Sequence, residues 1–250
     1  MSEANVLRSF TEGVARLTLN RPAKGNALSA AMVHELDAAF DEAIAEGARL
    51  IIIEGVGRHL CTGFDLSTLS EETDADLLLR FINLETLLRK VFDAPAVTLA
   101  IGQGRVFGAG ADLFAACDHR IAPHGASFSF PGSAFGIVLG TARLAERIGR
   151  DRARQLLLAG ETVAAERALS DRLVTQVLSN DDLPAALDDI AGAAKRLDAT
   201  TVASLYRATD RGNADAELAA LCRSASRPGL KARIVAYREH MLALSGKKSA

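Results

Sequence analysis

The chain has 250 residues, of which 24% are charged and 49% hydrophobic, as is ordinary for a globular protein with a sizeable core. Its formal net charge of -2 and its pI of about 6.2 give no basic surface for nucleic acid, so any bound anion has to be held by a local site. The three cysteines, Cys61, Cys117 and Cys222, are odd in number and far apart, which argues against a disulfide framework or a zinc site.

The N-terminal ten residues lack the basic and apolar segments of a signal peptide. No apolar run approaches the roughly 18 residues that a membrane span requires. We therefore expect a cytoplasmic protein without a membrane or nucleic-acid partner.

A hairpin, a helix and a buried strand are predicted for the first 55 residues. The hairpin consists of VLRSF and VARLTLN, joined by a turn at residues 11–13. Ser29 is a predicted N-cap for a helix whose apolar residues recur every three or four positions, and Gly47 ends that helix. The short apolar run LIIIEG is typical of a strand buried on both faces.

The same alternation continues to about residue 140. A helix over residues 77–91 precedes a second buried strand, AVTLAIG, and a glycine-rich turn then opens the short helix GAGADLFAAC. Two short strands are predicted for HRIAP and SFSF, and after Thr141 the pattern is helical apart from a weak strand, LVTQVL. We therefore predict an α/β core over residues 1–195 and a helical region over residues 196–250.

Two glycine-containing loops, residues 55–66 and 102–118, each follow a predicted buried strand. Small residues let a ligand approach the main chain, and N–H groups at the start of a helix point towards it. Two such loops could direct two N–H donors at one oxygen, which is the requirement for stabilising the oxyanion of a thioester. Two ordinary strand-to-helix connections would give the same local pattern.

Four segments in order resemble the crotonase (enoyl-CoA hydratase/isomerase) superfamily over about residues 10–180: LNRPAKGNALS, GRHLCTGFDL, GQGRVFGAGADLFAACDHRIA and FSFP. The resemblance implies a crotonase-like spiral of ββα units that assembles as a homotrimer or homohexamer, with the C-terminal helices covering the site. It also implies an acyl-CoA substrate and a lyase or isomerase of fatty acid metabolism. Coenzyme A is then part of the substrate, and neither a metal nor another cofactor is implied.

The resemblance also assigns roles to residues of the two loops. The backbone N–H groups of Thr62 and Ala109 correspond to the two oxyanion donors, and Asp112 corresponds to a catalytic carboxylate. The residues that it places against coenzyme A are Lys24, Ala27, Leu28, Thr62, Gly63, Phe64, Asp65 and Gly108. Lys24 could meet a phosphate, although a lone lysine in a polar loop is usually only solvated.

The chain departs from the hydratases of this superfamily at two positions. The relatives that the chain resembles carry two glutamates that hold and activate a water; here Asp112 stands at the first position and Gly132 at the second. Because glycine has no side chain, Gly132 cannot act as an acid or a base, and the sequence does not predict standard two-carboxylate hydration. General acid–base catalysis by one group typically raises the reaction rate about 10²–10⁴-fold, so the loss of the second carboxylate is expected to slow hydration strongly.

Three interpretations of Asp112 stay open. It could move a proton beside the thioester carbonyl as a lone base or acid, or it could serve as nucleophile or water activator in hydrolysis of a thioester or carbon–carbon bond. It could instead only cap its helix or pair with Arg105 or Arg143, since the helix dipole favours a carboxylate in the first turn. We expect the catalytic role.

Several other residues are weaker candidates. His59 lies near Thr62, where some superfamily members place a catalytic histidine, although a loop histidine is more often a bystander. His119 and His124 flank a predicted strand and are expected to be structural. The candidates to replace the missing glutamate are Ser133, Glu146, Tyr206, Tyr237 and Arg238.

Other classes of function fit the sequence less well. The segment GQGRVFG lacks the third glycine of a dinucleotide-binding loop, and no GxSxG elbow of a serine hydrolase is present. The more serious alternative is a non-catalytic acyl-CoA-binding homologue that kept the fold. We predict an enoyl-CoA hydratase/isomerase-like enzyme that holds a thioester in a backbone oxyanion hole.

Overall fold

The computed structural model describes residues 4–209 and 214–246 of the chain. The strands in this part are β1 Val6–Thr11, β2 Val14–Leu19, β3 Leu50–Gly55, β4 Val97–Ile101, β5 Arg105–Phe107, β6 His119–Pro123, β7 Ser127–Ser129, β8 Thr162–Ala164 and β9 Gln176–Leu178. The helices are α1 Ala30–Ala45, α2 Asp74–Phe92, α3 Ala109–Ala116, α4 Thr141–Ile148, α5 Arg150–Ala159, α6 Ala165–Ser170, α7 Leu183–Ala194, α8 Ala199–Thr209, α9 Ala214–Ala225 and α10 Leu230–Gly246. Two short 3₁₀ helices span Pro22–Lys24 and Pro131–Phe135.

The predicted N-terminal hairpin is confirmed. Strands β1 and β2 pair antiparallel from Val6 opposite Leu19 to Thr11 opposite Val14. Glu12 and Gly13 between them have φ angles of 50° and 79°, as a tight two-residue hairpin turn requires. Thr11 therefore belongs to the strand rather than to the turn.

Six strands form the main sheet in the order β1-β2-β3-β4-β6-β9, and every pair after the first is parallel. Residues 50–53 of β3 are fully buried, because helices cover both faces of the parallel part. That burial explains the unbroken apolar run LIIIEG. The α/β class and the crossover connections predicted from the sequence are confirmed.

A second sheet of three strands, β5-β7-β8, adjoins the two glycine-containing loops. The sequence predicted β5 only as part of a turn and β8 as part of a helical stretch, and both predictions were wrong. Each strand has three residues, too few for a recognisable period, and each is held by pairing with β7. A bridge between Cys61 and Val106 ties the first loop to this sheet.

Helices α2, α9 and α10 pack together beside the sheet. Ser29 caps α1 as predicted, with its side chain accepting a hydrogen bond from the N–H of Met32. A capping box of Thr73 and Asp76 begins α2. The side chains that join α2 to the two C-terminal helices are Leu77, Phe81, Leu221, Leu230 and Ile234. The boundary at residues 195/196 stays a prediction, and no helix in the described ranges is long and apolar enough to cross a membrane.

Candidate active site

The two glycine-containing loops lie side by side. The N–H of Phe107 donates to the carbonyl of Cys61 at 3.0 Å. Gly63 has a φ of 110°, and a Cβ atom there would lie 3.0 Å from the carbonyl oxygen of Phe107. Glycine is therefore needed at this position both for the backbone angle and for the close approach of the loops.

The segment that contains Lys24, Ala27 and Leu28 is fastened to the first loop by Asn26. This buried side chain accepts from the N–H of Arg21 at 2.8 Å and donates to the carbonyls of residues 56 and 59 at 3.0 and 2.8 Å. The N–H of Leu28 also donates to the Gly63 carbonyl at 2.8 Å. Asn26 was not among the predicted site residues, although an asparagine beside Gly25 is a signal for its observed φ of 54°.

A cavity of about 310 Å³ opens where the loops meet. Its polar end consists of Thr62, Gly63, Gly108, Ala109 and Asp112. Its other walls are mostly apolar and include Phe81, Phe130, Leu139, Leu157, Ile234 and Tyr237. A concave apolar site with a few convergent polar groups is typical of a small-molecule binding site.

The two predicted oxyanion donors differ in their hydrogen bonding. Ala109 is the first residue of α3, so its N–H precedes the hydrogen-bond ladder of the helix, and no described residue accepts from it. The N–H of Thr62 instead donates to the carbonyl of Gly25 at 2.9 Å. Of these two N–H groups, only that of Ala109 is unpaired in this conformation, and both oxyanion roles stay predictions.

Asp112 lines the cavity from the first turn of α3 and is 7% exposed. Burial raises the pKa of its carboxyl group well above the usual range; the Arg143 guanidinium lowers this pKa and the Glu85 carboxylate raises it further. No hydrogen bond or ion pair to the carboxylate comes from the described part of the chain, so it neither caps α3 nor pairs with Arg105. A buried carboxyl group with a raised pKa in a cavity is a candidate for proton transfer.

Gly140, the residue before α4, touches the Asp112 carboxylate. Its φ is 60°, and a Cβ atom there would lie 2.5 Å from Oδ1 of Asp112. Gly140 was not among the predicted site residues, because nothing local distinguishes it from any other glycine before a helix.

Gly132 also lines the cavity, and no packing contact requires it to be glycine. A Cβ atom at this position would meet only Ile137, at 3.8 and 3.9 Å, which is ordinary van der Waals contact. The neighbouring Ser133 lines the cavity too, but its hydroxyl donates to the carbonyl of Leu157 at 2.7 Å. Glu146 is exposed and faces a different groove.

Tyr237 is the one of the three C-terminal candidates that reaches the cavity. Its ring lies 5.2 Å from that of Phe135, burial raises the pKa of its phenol, and no described residue bonds to its hydroxyl. Tyr206 instead donates to the carboxylate of Asp118 at 2.8 Å, and Arg238 is exposed outside the cavity.

The predicted histidine and lysine candidates lie outside the cavity. His59 accepts a hydrogen bond from the N–H of Arg105 at 3.0 Å, and burial together with the charges of Arg58 and Arg105 lowers its pKa. The neutral His59 imidazole therefore helps to hold the second loop in place through this hydrogen bond. Lys24 is exposed, and no described acidic residue pairs with it.

Comparison with known proteins gives consistent matches. The sequence profile of the enoyl-CoA hydratase/isomerase family matches residues 9–226. A protein of Rhodobacter capsulatus named probable enoyl-CoA hydratase is 36% identical over 186 residues, which cover 73% of this chain and 72% of that protein. The mitochondrial enoyl-CoA hydratase domain-containing protein 3 of Danio rerio is 32% identical and covers 74% of this chain and 64% of its own length.

Solved structures agree in fold. A proposed enoyl-CoA hydratase/isomerase from Bordetella parapertussis superimposes with a TM-score of 0.92 at 40% identity, covering 94% of this chain and 98% of that one. An enoyl-CoA hydratase/isomerase from Xanthobacter autotrophicus Py2 gives 0.82 at 29% identity, covering 97% and 96%.

The sheet, the adjoining glycine-containing loops and the apolar cavity beneath the C-terminal helices define a protein of the crotonase fold. Within that class, the chain belongs to the enoyl-CoA hydratase/isomerase family. The resemblance drawn from the sequence is confirmed at this level.

Proposed function

We propose that this protein binds an acyl-CoA thioester in the 310 Å³ cavity and shifts the double bond of an enoyl chain, with Asp112 as the only proton carrier. The observation that carries the proposal is that Asp112 is the only acidic side chain among the described residues lining that cavity. Hydration by paired carboxylates needs a second one, and Gly132 stands in its place. A double-bond shift needs only one group, which removes a proton and returns it.

The reaction balances without water. The Asp112 carboxylate takes a proton from C2 of a 3-enoyl thioester, and the electron pair moves through the chain to leave a dienolate with its charge on the thioester oxygen. Protonated Asp112 then gives the same proton to C4, and the double bond lies between C2 and C3. The Ala109 N–H at the polar end of the cavity supports stabilisation of the dienolate oxygen.

Thr62 would supply the second donor of the oxyanion hole. Its N–H donates to the Gly25 carbonyl at 2.9 Å, so this hydrogen bond has to break before the N–H can donate to a bound thioester. The segment with Lys24, Ala27 and Leu28 flanks this loop and supports a path for coenzyme A there, beside Phe64 and Asp65.

The proposal is tested with 3-hexenoyl-CoA and crotonyl-CoA on the wild type, Asp112→Asn and Glu146→Gln, with binding of acetyl-CoA followed by calorimetry. We expect isomerisation of 3-hexenoyl-CoA by the wild type, at least about 10²-fold less by Asp112→Asn, and little hydration of crotonyl-CoA by any of them. Glu146→Gln removes an acidic group outside the cavity and should behave as wild type. Isomerisation that survives in Asp112→Asn would exclude Asp112 as the proton carrier.

A second candidate function is non-catalytic binding of acyl-CoA. The hydrogen bond from Thr62 to Gly25 favours it, because a hole with one paired donor stabilises an oxyanion less well. Acetyl-CoA binding of equal strength in the wild type and Asp112→Asn, with no turnover of either enoyl-CoA, would establish this alternative.

A further inference from the structure

Four ionisable side chains lie in one region of the interior, and one of them, Asp112, also lines the cavity. Arg143 on α4 is 1% exposed, and its guanidinium pairs with Glu85 of α2 at 2.7 Å and with Glu217 of α9. Asp112 on α3 completes the group without bonding to any of them. Its Oδ1 instead lies beside Gly140, which immediately precedes α4 and is three residues before Arg143.

We propose that Arg143, fixed between Glu85 and Glu217, is a positioning residue that sets the charge state of Asp112 from inside the core. The inference rests on the proposed function only in so far as Asp112 transfers a proton there; its electrostatic part rests on the buried Arg143–Glu85 pair, with Arg143 three residues after Gly140, which adjoins Asp112. Neither Arg143 nor Glu85 lines the cavity, so both act through Asp112 rather than on a substrate.

The geometry holds the Arg143 charge in one place. A guanidinium presents two edges in a fixed fork, and here each of the two edges is paired with a carboxylate from a different helix. Its Nε is buried and has no hydrogen-bond partner in the described part of the protein. This leaves an unpaired cationic N–H and an unpaired carboxylate in the same region of the core.

The surrounding charges act on Asp112 with opposite signs. Arg143 favours the ionised carboxylate, and the N-terminal end of α4 at Gly140 favours it as well. Glu85 and burial oppose ionisation. Arg147, further along α4, is turned to the far end of α3, where it donates to the carbonyls of Ala115 and Cys117. The charge state of Asp112 is thus a balance between burial, which has the largest effect, and the charges of Arg143 and Glu85.

Glu217 brings the C-terminal helical region into this arrangement. It lies on α9, and its carboxylate holds the second edge of Arg143. Helix α9 therefore packs against α2 and also helps to hold the Arg143 guanidinium in place.

The test is an infrared titration of the Asp112 carboxyl group, isolated as the difference between each protein and its Asp112→Asn counterpart. Glu85→Gln keeps the shape and the contact with Arg143 but removes a negative charge near Asp112, so its titration midpoint should move to lower pH. Arg143→Met removes the opposing cation and should move the midpoint to higher pH. Glu54→Gln is the matched control, since Glu54 on β3 is a partly buried glutamate paired with Arg16 of β2, and it should leave the midpoint unchanged.

An unchanged midpoint in Glu85→Gln overturns the inference, and this outcome stays decisive if Arg143→Met fails to fold. Equal shifts in Glu85→Gln and Glu54→Gln also overturn it, because a general change of net charge would then suffice. The acidic limb of kcat/KM for 3-hexenoyl-CoA should follow the infrared midpoint. A shifted midpoint in a protein that turns over no enoyl-CoA supports the electrostatic role of Arg143 and removes the catalytic proposal alone.

Discussion

The Asp112 carboxylate is buried at the polar end of the cavity, next to Gly140 and without a hydrogen bond from the described residues. Ionising a group in such surroundings costs free energy, because the protein supplies less solvation than water does. Residues placed for chemistry often carry such a cost, and their removal can stabilise the fold.

We therefore expect Asp112→Asn to increase the free energy of unfolding at pH 7 by about 1 kcal/mol, or Tm by about 2–4 °C. The folded-state pKa of Asp112 lies above its unfolded value, so the penalty on stability is full above the folded-state pKa and disappears as pH falls from there to the unfolded value. Thermal unfolding from pH 8 to pH 4 checks this. The stability gap between the two proteins should close towards acid, and a gap independent of pH would contradict the prediction.

The space at Gly132 allows the opposite experiment. Since a Cβ atom fits there at 3.8 Å from its nearest neighbour, Gly132→Glu can present a second carboxylate to the cavity. We expect hydration of crotonyl-CoA to rise by about 10²-fold over the wild type, as one added acid–base group can contribute. Gly132→Gln has the same size but cannot transfer a proton, and an equal gain in that variant would show that the effect is not acid–base catalysis.

At the scale of elements, α10 is the helix that closes the cavity, through Ile234 and Tyr237. The Tyr237 hydroxyl has no described protein partner, and its raised pKa keeps it protonated, so it can donate a hydrogen bond to a bound acyl group. Tyr206 on α8 is the matched comparison, because its hydroxyl is committed to Asp118.

We expect Tyr237→Phe to lower kcat/KM for 3-hexenoyl-CoA about tenfold, the effect of one lost hydrogen bond of about 1.4 kcal/mol, with stability within about 0.5 kcal/mol of wild type. Tyr206→Phe should do the reverse, losing about 1 kcal/mol of stability with kcat/KM unchanged. Steady-state kinetics of both variants test the predicted kcat/KM values, and urea unfolding tests the predicted stabilities. If Tyr237→Phe turned over normally, its hydroxyl would have no part in substrate binding.

At the scale of the whole molecule, α10 lines the cavity through Ile234 and Tyr237, and both α10 and α8 also expose apolar side chains. Met241 and Leu244 of α10 are 46% and 44% exposed, and Leu205 of α8 is 49% exposed. Apolar surface of this kind is favourable to bury against another copy of the chain. We expect the 26.4 kDa chain to sediment as a trimer or a hexamer, measured by analytical ultracentrifugation. Sedimentation as a monomer at micromolar concentration would contradict the trimer or hexamer that the family resemblance implies.

The sequence by itself determined the elements whose signal is local. Ser29 predicted the start of α1 because a hydroxyl before an apolar period caps a helix, and the unbroken run at residues 50–53 predicted a strand buried on both faces. The two glycine-containing loops were also predicted from a local signal, since Gly63 and Gly108 have positive φ angles that other residues avoid.

Only the tertiary structure decided which groups meet. Strands β5 and β8 exist because β7 pairs with both, and no property of three residues in isolation predicts that pairing. The contact of Gly140 with Asp112, the clamp of Glu85 and Glu217 on Arg143, and the approach of Tyr237 to the cavity each join residues from different elements. The pKa of Asp112 depends on these neighbours and on burial, because a protonation equilibrium is set by the surrounding dielectric and charges, which the chain acquires only when it folds.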